Sequence, residues 1–331
     1  MTTLEELVET AASLHASDLH LSCGWPPYVR NAEGALEPIP NEAPLTVSSV
    51  KSLLAPYWTS TQQMKLKEVG DLDFPFTTRT HIRCRANAFR SQLGLGASIR
   101  LLPRTVPSMN DLRLPYLVQT LTKKDHGLIL FSAPTGNGKS TSIAALLRAI
   151  NKTQKKRIIT IEDPIEYEHE SDQSLVVQRE IGRDCPSFAA GLRSALREDP
   201  DIILIGEMRD PDTVHAAISA AESGHLVFST LHAADVIQAT DRILQYFPQG
   251  QQDQILLQFS NAFEAIIAQK LLPRRDKKGR IAAFEVLLRN DATRSLIRRG
   301  EAYRLHSYMH PRDGMQTMDA SIRELTSQGL I

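Results

Sequence analysis

The chain has 331 residues, about the length of two domains, of which 42% are hydrophobic and 23% are charged. These fractions are close to globular averages and exclude a disordered or fibrous protein. The 38 basic residues equal the 38 acidic residues in number, so bulk positive charge cannot be the basis of nucleic-acid binding, and we expect no nucleic-acid partner.

The cysteines and the N-terminus indicate the compartment. Cys23, Cys84 and Cys185 are far apart and form no CxxC pair. This spacing argues against a thiolate zinc site and a secreted disulfide framework, and it fits a reducing cytoplasm. The N-terminus lacks an apolar signal core, and no window approaches 18 uninterrupted apolar residues. We therefore expect a soluble protein without direct membrane insertion, whose membrane role comes through partners.

The first hundred residues predict a small α+β module. Residues 3–6 form a capping box before apolar residues at helical spacing, which indicates an opening helix. Residues 24–44 are punctuated by proline and glycine, and residues 81–89 and 95–102 are typical of strands. Prolines cluster after this module and favour an extended connector. The predicted division is a domain at 1–105, a linker at 106–116 and a second domain at 117–331.

In the second domain, short apolar runs alternate with helical patterns, as in βαβ units on a parallel sheet. The runs cover residues 128–131, 158–161, 202–205 and 226–231. The charged residues 274–280 surround a glycine and predict a solvated hairpin turn. The sequence therefore predicts an α/β fold class for the chain.

Residues 133–140, Ala-Pro-Thr-Gly-Asn-Gly-Lys-Ser, fit the phosphate-binding loop pattern. A strand pattern precedes them and a helix pattern follows, which is the context that the motif requires. In such a loop, backbone N–H groups and a helix N-terminus surround an anion. Lys139 would supply a charge to the outer phosphates of ATP, and Ser140 a hydroxyl for Mg²⁺. The predicted nucleotide-binding residues are Thr135, Gly136, Asn137, Gly138, Lys139, Ser140 and Thr141.

Two predicted strands end in carboxylates. Glu162 follows one apolar run and Glu207 follows another, and in open parallel sheets ligands bind at this end of the strands. We interpret Glu207 as the general base that activates water. Gly206 stands where a metal-associated aspartate is usual, so contact to Mg²⁺ falls to Ser140, water, and Glu162 directly or through water. The alternative for either glutamate is a solvated carboxylate at a strand end.

Two histidines bracket the run at 226–231. His225 and His232 are seven residues apart, so on a strand they point to opposite faces, and a two-His metal site is not expected. His232 lies at the carboxyl end and is the better candidate for sensing the γ-phosphate of ATP. A structural histidine is the alternative for both, and it is favoured for His225.

Taken together, these motifs resemble those of the PilT-like type IV pilus retraction ATPases, within the secretion-ATPase superfamily. The similarity runs nearly end to end. The matching segments are residues 16–21 for the N-terminal signature, 161–166 for the Asp box, 196–210 for the Walker B region, 224–232 for the His box, and 314–317 near the C-terminus.

The resemblance implies a PAS-like α+β N-domain, a RecA-like parallel-sheet P-loop ATPase core with C-terminal helices, and a homohexameric ring. In this family, arginines of the N-domain reach the γ-phosphate, and Arg83, Arg85 and Arg100 occupy the matching positions. The resemblance therefore adds these arginines to Glu207, Glu162 and His232 as catalytic candidates. Solvated arginines on strand faces are the alternative.

The resemblance also implies a cytoplasmic motor, peripheral to the inner membrane at the pilus base, that drives pilus retraction in twitching motility. Its expected partners are an inner-membrane pilus platform protein and, as a further candidate, a paralogous pilus ATPase. Residues 292–299 resemble the retraction motif AIRNLIRE, with departures at Thr293, Ser295 and Arg299.

Three alternative functions stay open at this point. A pilus-extension or type II secretion-type ATPase would share the chemistry, but extension ATPases usually carry a four-cysteine metal module that three scattered cysteines cannot supply. A non-hydrolysing regulatory ring subunit is suggested by the unusual Ala133 and Asn137 in the phosphate loop. A nucleic-acid motor is disfavoured by the zero net charge.

Overall fold

The computed structural model describes residues 2–31, 34–103, 105–277 and 279–331. The chain divides into two compact units, Met1–Arg104 and Thr105–Ile331. The segment predicted as a linker contributes Leu114 to a buried cluster of the second unit, together with Ile129 and Ile143. That the two units act as an N-domain and an ATPase domain, joined by a linker, stays a prediction.

In its described residues, the first unit is a six-stranded antiparallel sheet with three α-helices. The strand order is β3-β2-β1-β6-β5-β4. Its elements are α1 (Leu4–Ser13), β1 (Asp18–Ser22), β2 (Tyr28–Arg30), β3 (Leu36–Pro38), α2 (Val47–Leu54), a 3₁₀ turn (Ala55–Tyr57), α3 (Ser60–Val69), β4 (Asp71–Thr77), β5 (Arg83–Ser91) and β6 (Gly94–Leu101).

Local sequence explains how this unit begins and which face of its sheet is buried. The Thr3 side chain accepts from the backbone N–H of Glu6, and the Glu6 carboxylate accepts from that of Thr3, so the predicted capping box starts α1. Along β5, small and apolar side chains alternate with polar ones, and only the former are buried. One face of the sheet therefore packs in the core and the other carries polar side chains.

The second unit is a seven-stranded sheet flanked by helices. The strand order is β13-β12-β7-β11-β10-β8-β9, and every neighbouring pair is parallel except β12 with β13. Its elements are α4 (Tyr116–Thr120), a 3₁₀ turn (Leu121–Lys123), β7 (Gly127–Ser132), α5 (Lys139–Thr153), β8 (Arg157–Glu162), β9 (Leu175–Glu180), α6 (Phe188–Ala195), β10 (Ile202–Ile205), α7 (Pro211–Glu222), β11 (Leu226–Leu231), α8 (Val236–Gln245), α9 (Gln249–Ala262), β12 (Phe263–Pro273), β13 (Arg280–Leu288), α10 (Asp291–Arg298), two 3₁₀ segments (Ala302–Tyr308 and Pro311–Asp313) and α11 (Met318–Ser327).

The four apolar runs of the sequence are β7, β8, β10 and β11, and they form the middle of this sheet. Helices cover both faces of a parallel sheet, so its central strands are apolar along their whole length. β9 was not predicted, because it is an edge strand whose residues are half-buried or exposed. Pro273 pairs with Arg280 across β12 and β13, which confirms the predicted hairpin turn. The predicted α/β class with a parallel-sheet core is also confirmed.

A helix that crosses a membrane needs about 20 predominantly apolar residues. In the part of the chain that the structure describes, no helix meets that requirement.

Candidate active site

The phosphate loop connects the carboxyl end of β7 to the first turn of α5. Gly136 and Gly138 have φ values of +80° and +79°, a left-handed conformation that glycine adopts without a Cβ clash. α5 begins at Lys139, so the first N–H groups of this helix have no partner within it and are oriented toward the loop. This is the arrangement in which helix N-termini bind anions.

Lys139 is held inside the loop. Its side chain is mostly buried, with the whole residue 8% exposed, and Nζ donates to the carbonyl of Ala133 at 2.6 Å. Burial lowers the pKa of Lys139, and the negative charges of Glu207 and Glu166 oppose that shift. The ammonium is thus held by loop carbonyls at the place where a bound phosphate would offer it a stronger acceptor.

Glu162 lies at the end of β8 and is not a solvated carboxylate. Its Oε1 accepts from the Thr160 hydroxyl at 2.7 Å and from Nε2 of Gln178, on β9, at 3.1 Å. Burial raises the pKa of Glu162, and these two hydrogen bonds partly counter the increase. Glu162 is therefore a desolvated carboxyl group, and the hydrogen bonds from Thr160 and Gln178 stabilise its ionised form.

Gly206 stands where an aspartate is usual, and it lies at a point where the ends of β8 and β10 pack closely. The N–H of Gly206 donates to the carbonyl of Ile161 at 2.8 Å. A Cβ at Gly206 would lie 3.3 Å from the Cα of Glu162 and from that carbonyl oxygen, which is tighter than ordinary contacts. Gly206 therefore lets the ends of β8 and β10 approach each other at this point.

Glu207 and His232, which the sequence suggested separately, lie together in the structure because β10 and β11 are neighbours. His232 Nε2 lies 3.3 Å from Oε2 of Glu207, whose side chain is only 12% exposed. The other carboxylate oxygen of Glu207 forms an ion pair with Arg209. Arg209 also lies 3.8 Å from Asp163. The carboxylate is thus held from two sides.

His225 lies at the opposite end of β11 from this group. Its Nδ1 is 3.0 Å from the Ser223 hydroxyl and 3.0 Å from the carbonyl of Ala220. These contacts give it a local structural role. Among the described residues, no group of three or more His, Cys, Asp and Glu side chains is arranged to hold a metal ion.

The residues predicted from the sequence converge on one cleft of about 460 Å³. A cleft of this size is typical of a small-molecule site. Its lining combines the phosphate loop with the ends of β8, β10 and β11. The predicted residues that line it are Thr135, Gly136, Asn137, Gly138, Lys139, Ser140, Thr141, Glu162, Glu207 and His232.

Sequence reasoning missed several side chains of this site. Arg209 lines the cleft and pairs with the predicted base, and its position two residues after Glu207 was the available signal. The Tyr167 hydroxyl lies 3.1 Å from that of Thr141. Arg280, at the start of β13, lines the cleft and approaches the carbonyl of Gly136 at 3.4 Å. Tyr167 and Arg280 are distant in sequence from the motif, so only the fold shows them.

The donor set fits a magnesium ion. Ser140 and Glu162 both line the cleft, and both also border a small cavity of about 30 Å³ next to α5. Hydroxyl and carboxylate oxygens are ligands that Mg²⁺ accepts, and Mg²⁺ usually keeps several waters besides. A metal held by one or two side chains and by phosphates needs no larger protein cluster.

The three arginine candidates belong to the first unit. Arg83 and Arg85 lie on the polar face of β5, and Arg85 pairs in register with Arg100 on β6. The Nε of Arg100 lies 3.0 Å from Oδ1 of Asp18 on β1. The structure thus gathers these arginines on one sheet face, and their role at a nucleotide stays a prediction.

Comparisons of the whole chain with known proteins show its family. A model of the family described as Type II/IV secretion system protein matches residues 60–331. The chain is 40% identical over 330 residues to the type IV pilus retraction ATPase PilT of Pseudomonas aeruginosa, covering 99% of this chain and 95% of that protein. It is 45% identical over 263 residues to a twitching motility protein of Neisseria gonorrhoeae, covering 79% and 70% of the two chains.

A solved structure gives the same answer at the level of the fold. The crystal structure of the pilus retraction motor PilT with bound ADP superimposes with a TM-score of 0.92 at 42% identity, covering 100% of this chain and 95% of that one. The resemblance to PilT-like ATPases inferred from the motifs is confirmed. The chain therefore belongs to the Type II/IV secretion system protein family, as an ATPase similar to the PilT retraction motor.

Proposed function

We propose that the chain is an ATP-hydrolysing motor that drives type IV pilus retraction, and with it twitching motility. The observation that carries the proposal is one cleft that is lined by Lys139 of the phosphate loop together with Glu162 and Glu207. Two relatives with pilus retraction or twitching motility in their names support the choice of retraction.

In this proposal, the phosphate groups of ATP bind in the loop and replace the Ala133 carbonyl as the partner of Lys139. Ser140 and Glu162 hold Mg²⁺, Glu162 directly or through water. When bound, the ion supplies positive charge next to the phosphate oxygens. The N–H groups at the start of α5 add to the same electrostatic stabilisation.

Glu207 accepts the proton of the attacking water. In the structure its carboxylate contacts Arg209 through one oxygen and His232 through the other, and each oxygen keeps a lone pair that can accept from a water. We assign His232 to reporting the state of the γ-phosphate, because it shares the carboxylate with the attacking water. Arg209 keeps Glu207 in place before nucleotide binds.

The motor works as a homohexamer on the cytoplasmic face of the inner membrane at the pilus base. Arg83, Arg85 and Arg100 complete the nucleotide site across a subunit interface. Hydrolysis moves the N-domain against the core, as domains close around ligands elsewhere, and the movement acts on an inner-membrane platform protein. A paralogous pilus ATPase is a candidate partner, and nucleic acid is not one.

The first experiment is steady-state ATP hydrolysis across a concentration series, with Glu207→Gln and the exposed control Glu222→Gln. Turnover per subunit is expected to rise with concentration, because neighbouring subunits complete the site. Glu207→Gln should still bind ATP but turn over about 10²–10⁴ times more slowly, the usual contribution of a general base.

Other outcomes decide between the alternatives. Near-normal turnover in Glu207→Gln removes this residue from the base role. An assembled ring that binds ATP but never hydrolyses it, even with membranes that contain the pilus platform, supports the regulatory subunit. In cells, loss of a retraction motor should leave surface pili and abolish twitching, whereas loss of the pili themselves indicates an extension ATPase.

A further inference from the structure

The side chain of Asn137 ties the phosphate loop to a neighbouring strand. Its Oδ1 accepts from the backbone N–H of Leu271, on β12, at 3.0 Å. Its Nδ2 donates to the carbonyl of Pro134, on the other side of the loop, at 3.2 Å. A side chain without an amide, such as alanine, could not make both contacts. Asn137 therefore fastens the loop to itself and to the sheet.

A buried glutamine makes a second connection between the same elements. Gln269 lies on β12 and is 3% exposed. Its Nε2 donates to the backbone carbonyl of Asn137 at 2.7 Å, and its Oε1 accepts from the Ser142 hydroxyl, in the first turn of α5, at 2.8 Å. Because both ends of the amide are engaged, its orientation is fixed. Gln269 thus connects β12 to the loop and to the helix that follows it.

The loop lies so close to this glutamine that a side chain at position 138 would require the Gln269 amide to shift. A Cβ at Gly138 would be 2.9 Å from Nε2 of Gln269, closer than real Cβ contacts. The positive φ of Gly138 independently disfavours a side chain.

We propose that Asn137 and Gln269 are positioning residues that hold the phosphate loop in its nucleotide-binding shape and so set the affinity for ATP and ADP. This inference rests on the proposed function. A loop binds phosphate well when its N–H groups already converge, since a preformed site loses less conformational freedom on binding. Gln269 acts through the loop backbone.

The test measures binding of ATP and of ADP to the full-length protein by calorimetry. The main variant is Gln269→Leu, and the matched control is Gln251→Leu on the exposed surface of α9. Losing the net contribution of one or two hydrogen bonds predicts about a threefold to tenfold weaker affinity. Gln269→Glu keeps the acceptor for Ser142 but opposes a carboxylate to the carbonyl of Asn137, so its loss should be at least as large.

Kinetics separate positioning from a general structural role. In Gln269→Leu, KM for ATP should rise while kcat at saturating ATP stays within about twofold, because Glu207 is untouched. Asn137→Ala, at a half-buried position, carries the binding test if Gln269→Leu does not fold. The double variant should lose less affinity than the product of the two single losses, since both changes loosen one loop.

Two results would overturn the proposal. One is unchanged ATP and ADP affinity in folded Gln269→Leu and Asn137→Ala. The other is a parallel fall of affinity, kcat and thermal unfolding temperature, which indicates a purely structural role. Failure of the unmodified protein to bind ATP or ADP would instead contradict the proposed function, so the two failures are distinguishable.

Discussion

Lys139 and Arg100 both offer a positive charge to an anion, but the two units hold these charges in different ways. The Lys139 residue is 8% exposed and Nζ is bonded to a carbonyl six residues away, whereas the Arg100 side chain is 68% exposed beside Asp18. A buried cation is costly unless it is paired and hydrogen-bonded. An exposed guanidinium costs little and gains its strength when another surface excludes water from it. The core unit thus carries a preformed site, whereas the role that we propose for the arginines of the N-terminal unit depends on assembly.

The strongest test of this difference removes the exposed charges. Arg85→Ala or Arg100→Ala should lower ATP turnover by about 10³–10⁵, the range for arginine fingers, while ATP affinity changes little. Arg90→Ala, near the end of the same strand β5, is the control. Turnover within tenfold of the unmodified protein in both variants would refute the finger role.

A mixing experiment shows whether the arginines act across an interface. Arg85→Ala protein mixed with Glu207→Gln protein should recover part of the turnover, because some neighbouring subunits then pair an intact arginine with an intact base. Mixtures as inactive as the separate variants would place both groups in one subunit's site.

Removing the buried charge should act on binding, whatever the assembly. Lys139→Ala is expected to weaken ATP binding by about a hundredfold, from the loss of charged hydrogen bonds to phosphate. Lys152→Ala, exposed in the last turn of the same helix, is the control. Equilibrium binding measures the effect, and unchanged ATP affinity would contradict the phosphate-loop assignment.

Burial around the site also predicts acid sensitivity. Desolvation lowers the pKa of His169, next to the small cavity, from 6.5 to about 4. As the pH falls from 6.5 toward 4, His169 is protonated in the unfolded chain but stays neutral in the folded chain. The free energy of unfolding therefore falls, by up to about 3 kcal/mol.

Urea unfolding at pH 7 and pH 4.5 measures this effect. His169→Gln should reduce the loss of stability at the lower pH, and the exposed His215→Gln should not. Equal acid sensitivity in His169→Gln and the unmodified protein would show that other groups are responsible.

The smallest expected effect concerns the donors of Glu162. Thr160→Val removes the 2.7 Å hydrogen bond to its carboxylate, so the pKa of Glu162 should rise further. The ionised form is then lost at a higher pH, and the acid limb of the turnover profile moves upward, with less than about a tenfold loss at neutral pH. Thr153→Val, exposed on α5, is the control, and an unmoved acid limb would separate Glu162 from turnover.

Much of the second unit could be predicted from the sequence because the patterns that identify its elements are local. β7, the glycine-rich loop and α5 follow one another, so the phosphate loop needed no knowledge of the fold. Glu162 and Glu207 were found because strand ends in a parallel sheet share one edge. β9 was not predicted, because an edge strand lacks the apolar run that burial on both faces requires.

The sequence by itself determined where the phosphate loop lies and which carboxylates end the neighbouring strands, because glycine conformation and strand burial act over a few residues. The tertiary structure alone decided that Glu207 meets His232, and that Gln269 supports a loop residue 132 positions away. Those contacts depend on strand order, since β12 lies beside β7 only in the assembled sheet. Side chains that are far apart in sequence come into contact through the order of the strands, and a local sequence pattern cannot predict such contacts.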